Sequence, residues 1–310
     1  MNPNECIDPL AAKAWLEGKS VDLYALSHPL RDEVFARLME HLEGMILSPQ
    51  EVLNWRPLSG GQPGAQQLIE RFPKAKHHFW QETKRATQAV KTSHASEGWA
   101  SQLKKAMGLS LQGDFSIASV DAQSPLFKPV DLICSSLALH NEADPSQVIN
   151  TWSHLLRPQG VVLFSCWGPD TLKELRSLYT QCGWPEPMHP LVDMHNWGDL
   201  LVQNGLSDPV MDMEYLTLTY DKTETLVSDL RFLGRNLTPV RRPGLLSRVW
   251  KEAWTQALEN ERLRQGGRIQ LSFEVIYGHA FKAQPKKAPS TETQISLEEM
   301  RSRLKKKSNP

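Results

Sequence analysis

The run Val161-Val162-Leu163-Phe164 constrains this chain more than any other feature, because four consecutive large apolar residues leave no polar face. A strand with alternating residues keeps one side wet. A strand without alternation is buried on both faces and belongs in the middle of a parallel sheet covered by helices. Other short apolar runs, bounded by polar or turn residues, stand at 51–55, 77–80, 115–120 and 130–134, with helix-like stretches between them. Residues 148–156 read as a helix crossing from the 130–134 strand to the Val161 strand, and Arg157-Pro158 to Gly160 as the turn behind it. Such crossovers are right-handed by default. The class is therefore α/β.

Within residues 22–45, the apolar side chains Val34, Phe35, Leu38, Leu42 and Met45 recur at the spacing of one helix face. The run 51–55 stops at Arg56-Pro57 and is followed by Ser59-Gly60-Gly61-Gln62-Pro63-Gly64, which only a loop tolerates. Helical spacing resumes at Leu68, Ile69 and Phe72. Strand, glycine loop and helix in that order open a βαβ unit.

The C-terminal third has a different pattern. Residues 211–220 and 271–281 alternate apolar with polar side chains, as half-exposed strands at a sheet edge would. Between them Leu226, Leu230 and Leu233, then Leu245, Leu246, Val249, Trp250, Trp254 and Leu258, fall at helical spacing and predict a helical insertion over 222–267. Residues 1–48 form an N-terminal helical segment, 49–282 the main domain, and 283–310 a basic tail poor in large apolar residues and expected to be disordered.

Composition excludes several function classes. The 35 basic and 35 acidic residues cancel, so no whole-surface field draws the chain to nucleic acid. No stretch approaches the roughly 20 apolar residues of a membrane span, and the start lacks a secretory signal, so a cytoplasmic chain is expected. Cys6, Cys134, Cys166 and Cys182 are scattered singly, which fits buried thiols better than a disulfide framework or a thiolate zinc site. His77-His78 and His189 with His195 lack metal-ligand spacing, and no metal is expected.

In an open α/β sheet, ligands collect beyond the carboxyl ends of the parallel strands. The loop with Gly60, Gly61 and Gly64 is either a ligand cradle or a plain surface turn. Two more loops there read Asp121-Ala122-Gln123-Ser124-Pro125-Leu126 and Ser135-Ser136-Leu137-Ala138-Leu139-His140.

These residues carry a family resemblance. The blocks VDAQSPLFKPVDLICSSLALH (120–140), LLRPQGVVLFSCWGPDTLKELR (155–176), DPVMDMEYLTLTY (208–220), DLRFLGRN (229–236) and SFEVIYGHAFK (272–282) are collinear with those of the Rossmann-like, class I S-adenosyl-L-methionine-dependent methyltransferases. Within that class the chain resembles the malonyl-acyl-carrier-protein O-methyltransferases of biotin synthesis. The resemblance spans roughly 24–282. It implies a mostly parallel seven-stranded sheet whose last strand is antiparallel, with the insertion as a lid over the substrate.

The resemblance also implies site residues. Gly60, Gly61 and Gly64 correspond to the loop against the methionine part of the cofactor, and Gln81 or Glu82 to the ribose acceptor. Asp121 and Ala122 correspond to the adenine contact, and Ser136 to the end of strand four. Tyr24 falls where the family carries a tyrosine over the active site, unless it merely staples the first helix. His140 falls beside the substrate, unless it serves a backbone carbonyl. A basic lid with Arg231, Arg235, Arg241, Arg242, Arg248 and Lys251 would steer an acidic acyl carrier protein, or is simply a solvated face.

The departures are specific. Asn54 replaces the acid after strand one, Arg56-Pro57-Leu58 stands where the first glycines are expected, and Gln81 stands at the ribose acid. An arginine beside a sulfonium is repelled unless it points away. The segment His189-Pro190-Leu191-Val192-Asp193 lacks the arginine that the resemblance would place against a malonyl carboxylate. Three readings follow: the carrier-protein methyltransferase, a degenerate fold kept as a scaffold, and a protein-modifying enzyme resembling respiratory complex I assembly factors. A side chain of Arg56 that fills the methionine site would favour the scaffold.

Overall fold

The computed structural model describes residues 7–17, 28–81, 115–118, 129–241 and 247–284. They form one seven-stranded sheet of order β3-β2-β1-β4-β5-β7-β6. In chain order the elements are α1 (Pro9–Glu17), α2 (Pro29–Glu40), β1 (Glu51–Trp55), α3 (Gln62–Arg71), β2 (Lys76–Trp80), β3 (Phe115–Ala118) and β4 (Val130–Ser136). Then follow α4 (Pro145–Leu155), β5 (Leu156–Trp167), α5 (Lys173–Gln181), α6 (Met194–Gln203), β6 (Leu206–Tyr220), α7 (Thr223–Leu233), α8 (Arg248–Arg264) and β7 (Ile269–Lys282). Strands β3, β2, β1, β4 and β5 are parallel, while β7 runs antiparallel to both β5 and β6.

The apolar run of β5 lies at the centre of the sheet. Val161 to Phe164 are at most 1% exposed, between β4 on one side and β7 on the other. Their alternate side chains enter two cores: Val161 and Leu163 meet Leu38, Leu132 and Val275, and Val162 and Phe164 meet Ile133, Trp152 and Trp197. The expected turn at 157–160 is absorbed into β5 as a bulge: the partner of Val130 is Leu156 but that of Leu132 is Val161, and Gln159 has φ 68°. Helix α4 makes the predicted crossover, with Pro145 in its first turn and Asp144 accepting the Gln147 N–H at 3.0 Å.

Helix α2 buries Val34, Phe35 and Leu38, the face that the spacing predicts. Helix α1 lies within the N-terminal segment 1–48; the Asp8 carboxylate caps it by accepting from Leu10 and Ala11 N–H groups at 2.9 and 3.3 Å. The edge expectation needs correction for one strand. Strand β6 is an edge strand and half-exposed along its length, but β7 lies inside the sheet and is buried almost throughout. Its polar positions mislead because Ser272 and Glu274 are tied to α5 and to the loop before it: Glu174 accepts from Ser272 N and Oγ at 2.9 and 2.6 Å, and Glu274 accepts from Asp170 N at 2.6 Å. The helical insertion is present as α7 and α8, entered from the end of β6.

Candidate active site

Strand β1 pairs with β2 on one side and β4 on the other, and the chain reverses direction across the sheet between β1 and β4. In an open α/β sheet the crevice beyond the strand ends at such a switch point is the standard ligand position. Two loops flank it, one after β1 and one after β4. Both leave their strands through a non-glycine residue with positive φ: Arg56 at 54° and Leu137 at 52°. Such residues cost of order 1–3 kcal/mol and persist only where surrounding contacts hold them.

The contacts are present. Arg56 donates its N–H to Trp80 O at 2.9 Å, and its own carbonyl accepts from Ser59 N at 3.0 Å. Its guanidinium, 3% exposed, reaches across the crevice to Glu142 beyond β4. Nη1 lies 2.7 Å from one carboxylate oxygen, and Nη2 donates to the other at 3.0 Å. One charge-assisted hydrogen bond, Nη2 to Oε2, and one close ion contact, Nη1 to Oε1, thus hold the pair. Burial pushes the Glu142 carboxyl above its ordinary range, against the pull of Arg56, and Asp144 adds to the rise. The arginine that the sequence places near a sulfonium therefore has its charge matched within the loop pair.

The glycines have a structural partner. A Cβ on Gly60 would stand 2.9 Å from the Phe35 ring and 3.0 Å from Ser136, and one on Gly64 would stand 2.4 Å from Phe35. Helix α2 thus lies on the glycine loop, and Arg31 donates to Leu58 O at 3.3 Å. Gly61, at φ 83°, leads into α3. From the other side Leu58 packs with Ile7, Ala12 and Trp15 and with Leu237 of the insertion.

Among the described residues, Asn54 Nδ2 in β1, Gln81 Nε2 just after β2 and Ser135 Oγ in β4 are buried polar atoms without a hydrogen-bond partner. Leaving such a group unpaired costs about 1–3 kcal/mol. Ser136 is engaged, its hydroxyl 3.0 Å from that of Ser165 on β5.

His140 sits in a short 3-10 turn, fully enclosed. Its Nε2 lies 2.9 Å from the Asn141 side-chain Nδ2, and its Nδ1 lies 3.4 Å from the Trp167 backbone N–H. Its carbonyl accepts from His189 Nε2 at 3.1 Å, and His189 Nδ1 in turn accepts the Leu237 N–H at 3.4 Å. Burial holds both imidazoles below their ordinary range, with His189 lowering His140 further and Arg176 lowering His189. Two neutral histidines thus tie the insertion to the β4 loop.

Tyr24, Glu82, Asp121 and Ala122 lie outside the described residues, as does Arg242. The structure brings Gly60, Gly61, Gln81, Ser136 and His140 to the same end of the sheet, with Gly64 in the first turn of α3. The other cations of the insertion have separate fates. Arg241 binds Asp8 at 2.7 Å and Thr238 O at 2.9 Å, Arg235 lies over the Trp15 ring at 5.5 Å, and Arg248 pairs with Glu252 at 2.9 Å. Arg231 and Lys251 are exposed. Sequence reasoning missed Glu142 and His189 as structural partners; the only available signal was the oddity of Arg56, since its partner lies 86 residues away. Among the described residues no group of three His, Cys, Asp or Glu could hold a metal, and no helix is long and apolar enough to cross a membrane. A cavity of about 310 Å³ lined by Arg37, Glu40, His41, Asp212, Glu214 and Tyr277 lies between α2 and the β6–β7 pair, apart from the crevice.

No family model matches the chain. It is 34% identical over 285 residues to the malonyl-[acyl-carrier protein] O-methyltransferase of Gallionella capsiferriformans, covering 91% of this chain and 94% of that protein. It is 33% identical over 296 residues to the protein of the same name from Nitrosospira multiformis, covering 90% and 92%. Among solved structures, a Bacillus halodurans chain assigned as a methyltransferase superposes with a TM-score of 0.52 at 13% identity, over 81% of this chain and all of that one, and shares the fold.

Proposed function

The chain belongs to the malonyl-[acyl-carrier protein] O-methyltransferase family, and from that premise we propose that it transfers a methyl group from S-adenosyl-L-methionine to the malonyl carboxylate of an acyl-carrier-protein thioester in biotin synthesis. The observation that carries this reading is the family match along nearly the whole chain, laid over a sheet whose β1–β4 crevice holds unpartnered polar groups. The cofactor, when bound, supplies an electrophilic methyl on a sulfonium. The acceptor carboxylate is ionised at neutral pH, so no general base is required.

The residues present fit the adenosine half of that cofactor. Asn54 Nδ2, Gln81 Nε2 and Ser135 Oγ are buried polar atoms awaiting partners, and an adenosine is rich in acceptors. Glu82, Asp121, Ala122 and Tyr24 complete the proposed set from the sequence. Gly60, Gly61, Gly64 and Ser136 shape the wall of the crevice rather than donate to it. His140, neutral and enclosed, fixes the loop that carries Glu142 and does not move a proton. The neutral sum of Arg56 and Glu142 lets a sulfonium approach without the repulsion that a lone arginine would impose. The exposed Arg231, Arg248 and Lys251 offer a basic face to an acidic carrier protein.

The test is direct. Purified protein with methyl-labelled cofactor and a malonyl-carrier thioester should give a carrier heavier by one methylene, with label released on ester hydrolysis. Absence of transfer, in a sample that binds neither cofactor nor its demethylated product, favours the second reading: a scaffold that kept the fold, for which the arginine at the first glycine position is the specific observation. Micromolar cofactor binding, about -8 kcal/mol, excludes that second reading.

A further inference from the structure

We propose that Arg56 is the receptor for a reactant's carboxylate and that Glu142 is its placeholder, occupying the guanidinium until that carboxylate displaces it. The inference rests on the proposed reaction, in which both the methyl donor and the malonyl acceptor carry a carboxylate.

Position supplies the first argument. Arg56 follows β1 and Glu142 follows the turn after β4, so the ion pair spans the switch-point crevice itself, where a ligand of this fold must sit. A purely structural ion pair at that place would close the site. A second argument is geometric. A carboxylate already stands against the two terminal nitrogens at 2.7 and 3.0 Å, but only the contact to Nη2 is a hydrogen bond, so an incoming carboxylate better aligned with Nη1 can compete for the place.

Energetics decides which partner leaves. Removing the counter-charge of a buried arginine is strongly destabilising, but exchanging one carboxylate for another keeps it paired throughout. Arg56 is anchored by its backbone hydrogen bonds and is 3% exposed, whereas the Glu142 side chain is 10% exposed and lies one residue beyond a 3-10 turn. Glu142 is therefore the group that can swing to water. The burial that raises its proton affinity also makes its charged form the less favoured occupant.

Two carboxylates could be the natural occupant, the amino-acid end of the cofactor or the malonyl group, and paired probes separate them. Calorimetry on the full chain would compare S-adenosylhomocysteine with methylthioadenosine, which lacks the carboxylate. It would also compare a malonyl thioester of N-acetylcysteamine with its methyl ester. In Glu142→Gln the placeholder's charge is gone and Arg56 remains. The carboxylate-bearing member of one pair should bind about tenfold more tightly than to the unaltered protein, with its partner unchanged. In the double variant Arg56→Gln/Glu142→Gln, whose neutral amides keep a hydrogen-bonded pair and so protect folding, that preference should fall about a hundredfold. The pair that responds names the occupant.

Equal affinities in all three proteins would overturn the proposal, as would weaker carboxylate binding in Glu142→Gln or no binding of any probe. Methyl transfer by the unaltered protein together with such a result would sink the placeholder alone. A carboxylate preference that obeys the variants, without methyl transfer, would sink the proposed reaction alone.

Discussion

The two halves of the sheet satisfy their polar groups in opposite ways. Between β6 and β7 the ladder runs from Leu206 opposite Lys282 to Tyr220 opposite Ile269 with one irregularity, and the half-buried acids beside it are paired. Glu214 takes Arg37 and accepts from Tyr277 Oη at 2.7 Å, and Glu174 accepts twice from Ser272. At the β1–β4 crevice the loops carry positive-φ residues, an ion pair stands across the gap, and Asn54, Gln81 and Ser135 have unpartnered atoms. The first half closes most of its own hydrogen bonding, with Tyr220 Oη at the end of β6 the exception among its described strand residues. The second leaves part of it open, as a surface built to receive something does.

The contrast is sharpest for single acids. Glu142→Ala removes a carboxylate from a buried arginine and should cost about 3–5 kcal/mol in chemical denaturation. Glu174→Ala, which removes ordinary hydrogen bonds, should cost nearer 1–3 kcal/mol. Similar losses at the two sites would erase the distinction. Next in size, Gly64→Ala drives a methyl into Phe35 and should cost about 1–3 kcal/mol. A smaller ring-free partner tests the cause: Phe35→Leu in that background should restore part of the loss.

Ligand affinity gives a finer test. Gln81→Ala should weaken adenosine-containing ligands by about 1–3 kcal/mol in titration if its amide is a contact, while stability stays level because an unpaired group has been removed. An unchanged affinity would remove Gln81 from the site. The tie between insertion and crevice is pH-sensitive. His140 and His189 titrate below 6.5 when folded, so the unfolded chain binds more protons, and their contribution is full above 6.5 and lost as pH falls below it. The denaturation midpoint should therefore drop on acidification, and His189→Gln should flatten that slope. The smallest effect is kinetic. Arg231→Glu with Lys251→Glu should slow carrier association severalfold at low salt and little at high salt, leaving stability unchanged.

Much of the architecture was legible in the chain because it depends on runs and periods. Val161 to Phe164 marked the centre, and Val34, Phe35 and Leu38 marked the face of α2. Strand β7 was placed at an edge because Ser272 and Glu274 read as wet positions; their partners on α5 and in the loop before it are far away in sequence. The site was legible only as a set of departures. Arg56 drew notice as a misfit, but whether it blocks, repels or pairs depends on Glu142, which no local pattern connects to it. The same holds for Gly60 and Gly64. Their spacing speaks of a ligand loop, whereas the ring of Phe35 against them is a tertiary fact.

Immediately before Arg56, Trp55 stacks on Trp80 with ring centroids 3.8 Å apart and planes 14° from parallel, and Trp152 meets Trp55 edge-on at 5.9 Å. Indoles so close couple their ultraviolet transitions, and the coupling changes with small rotations of either ring. Trp80 also holds the Arg56 N–H through its carbonyl. The chain consequently carries its own optical gauge at the foot of the crevice: a shift of the Arg56 loop registers in tryptophan emission and circular dichroism without any added label.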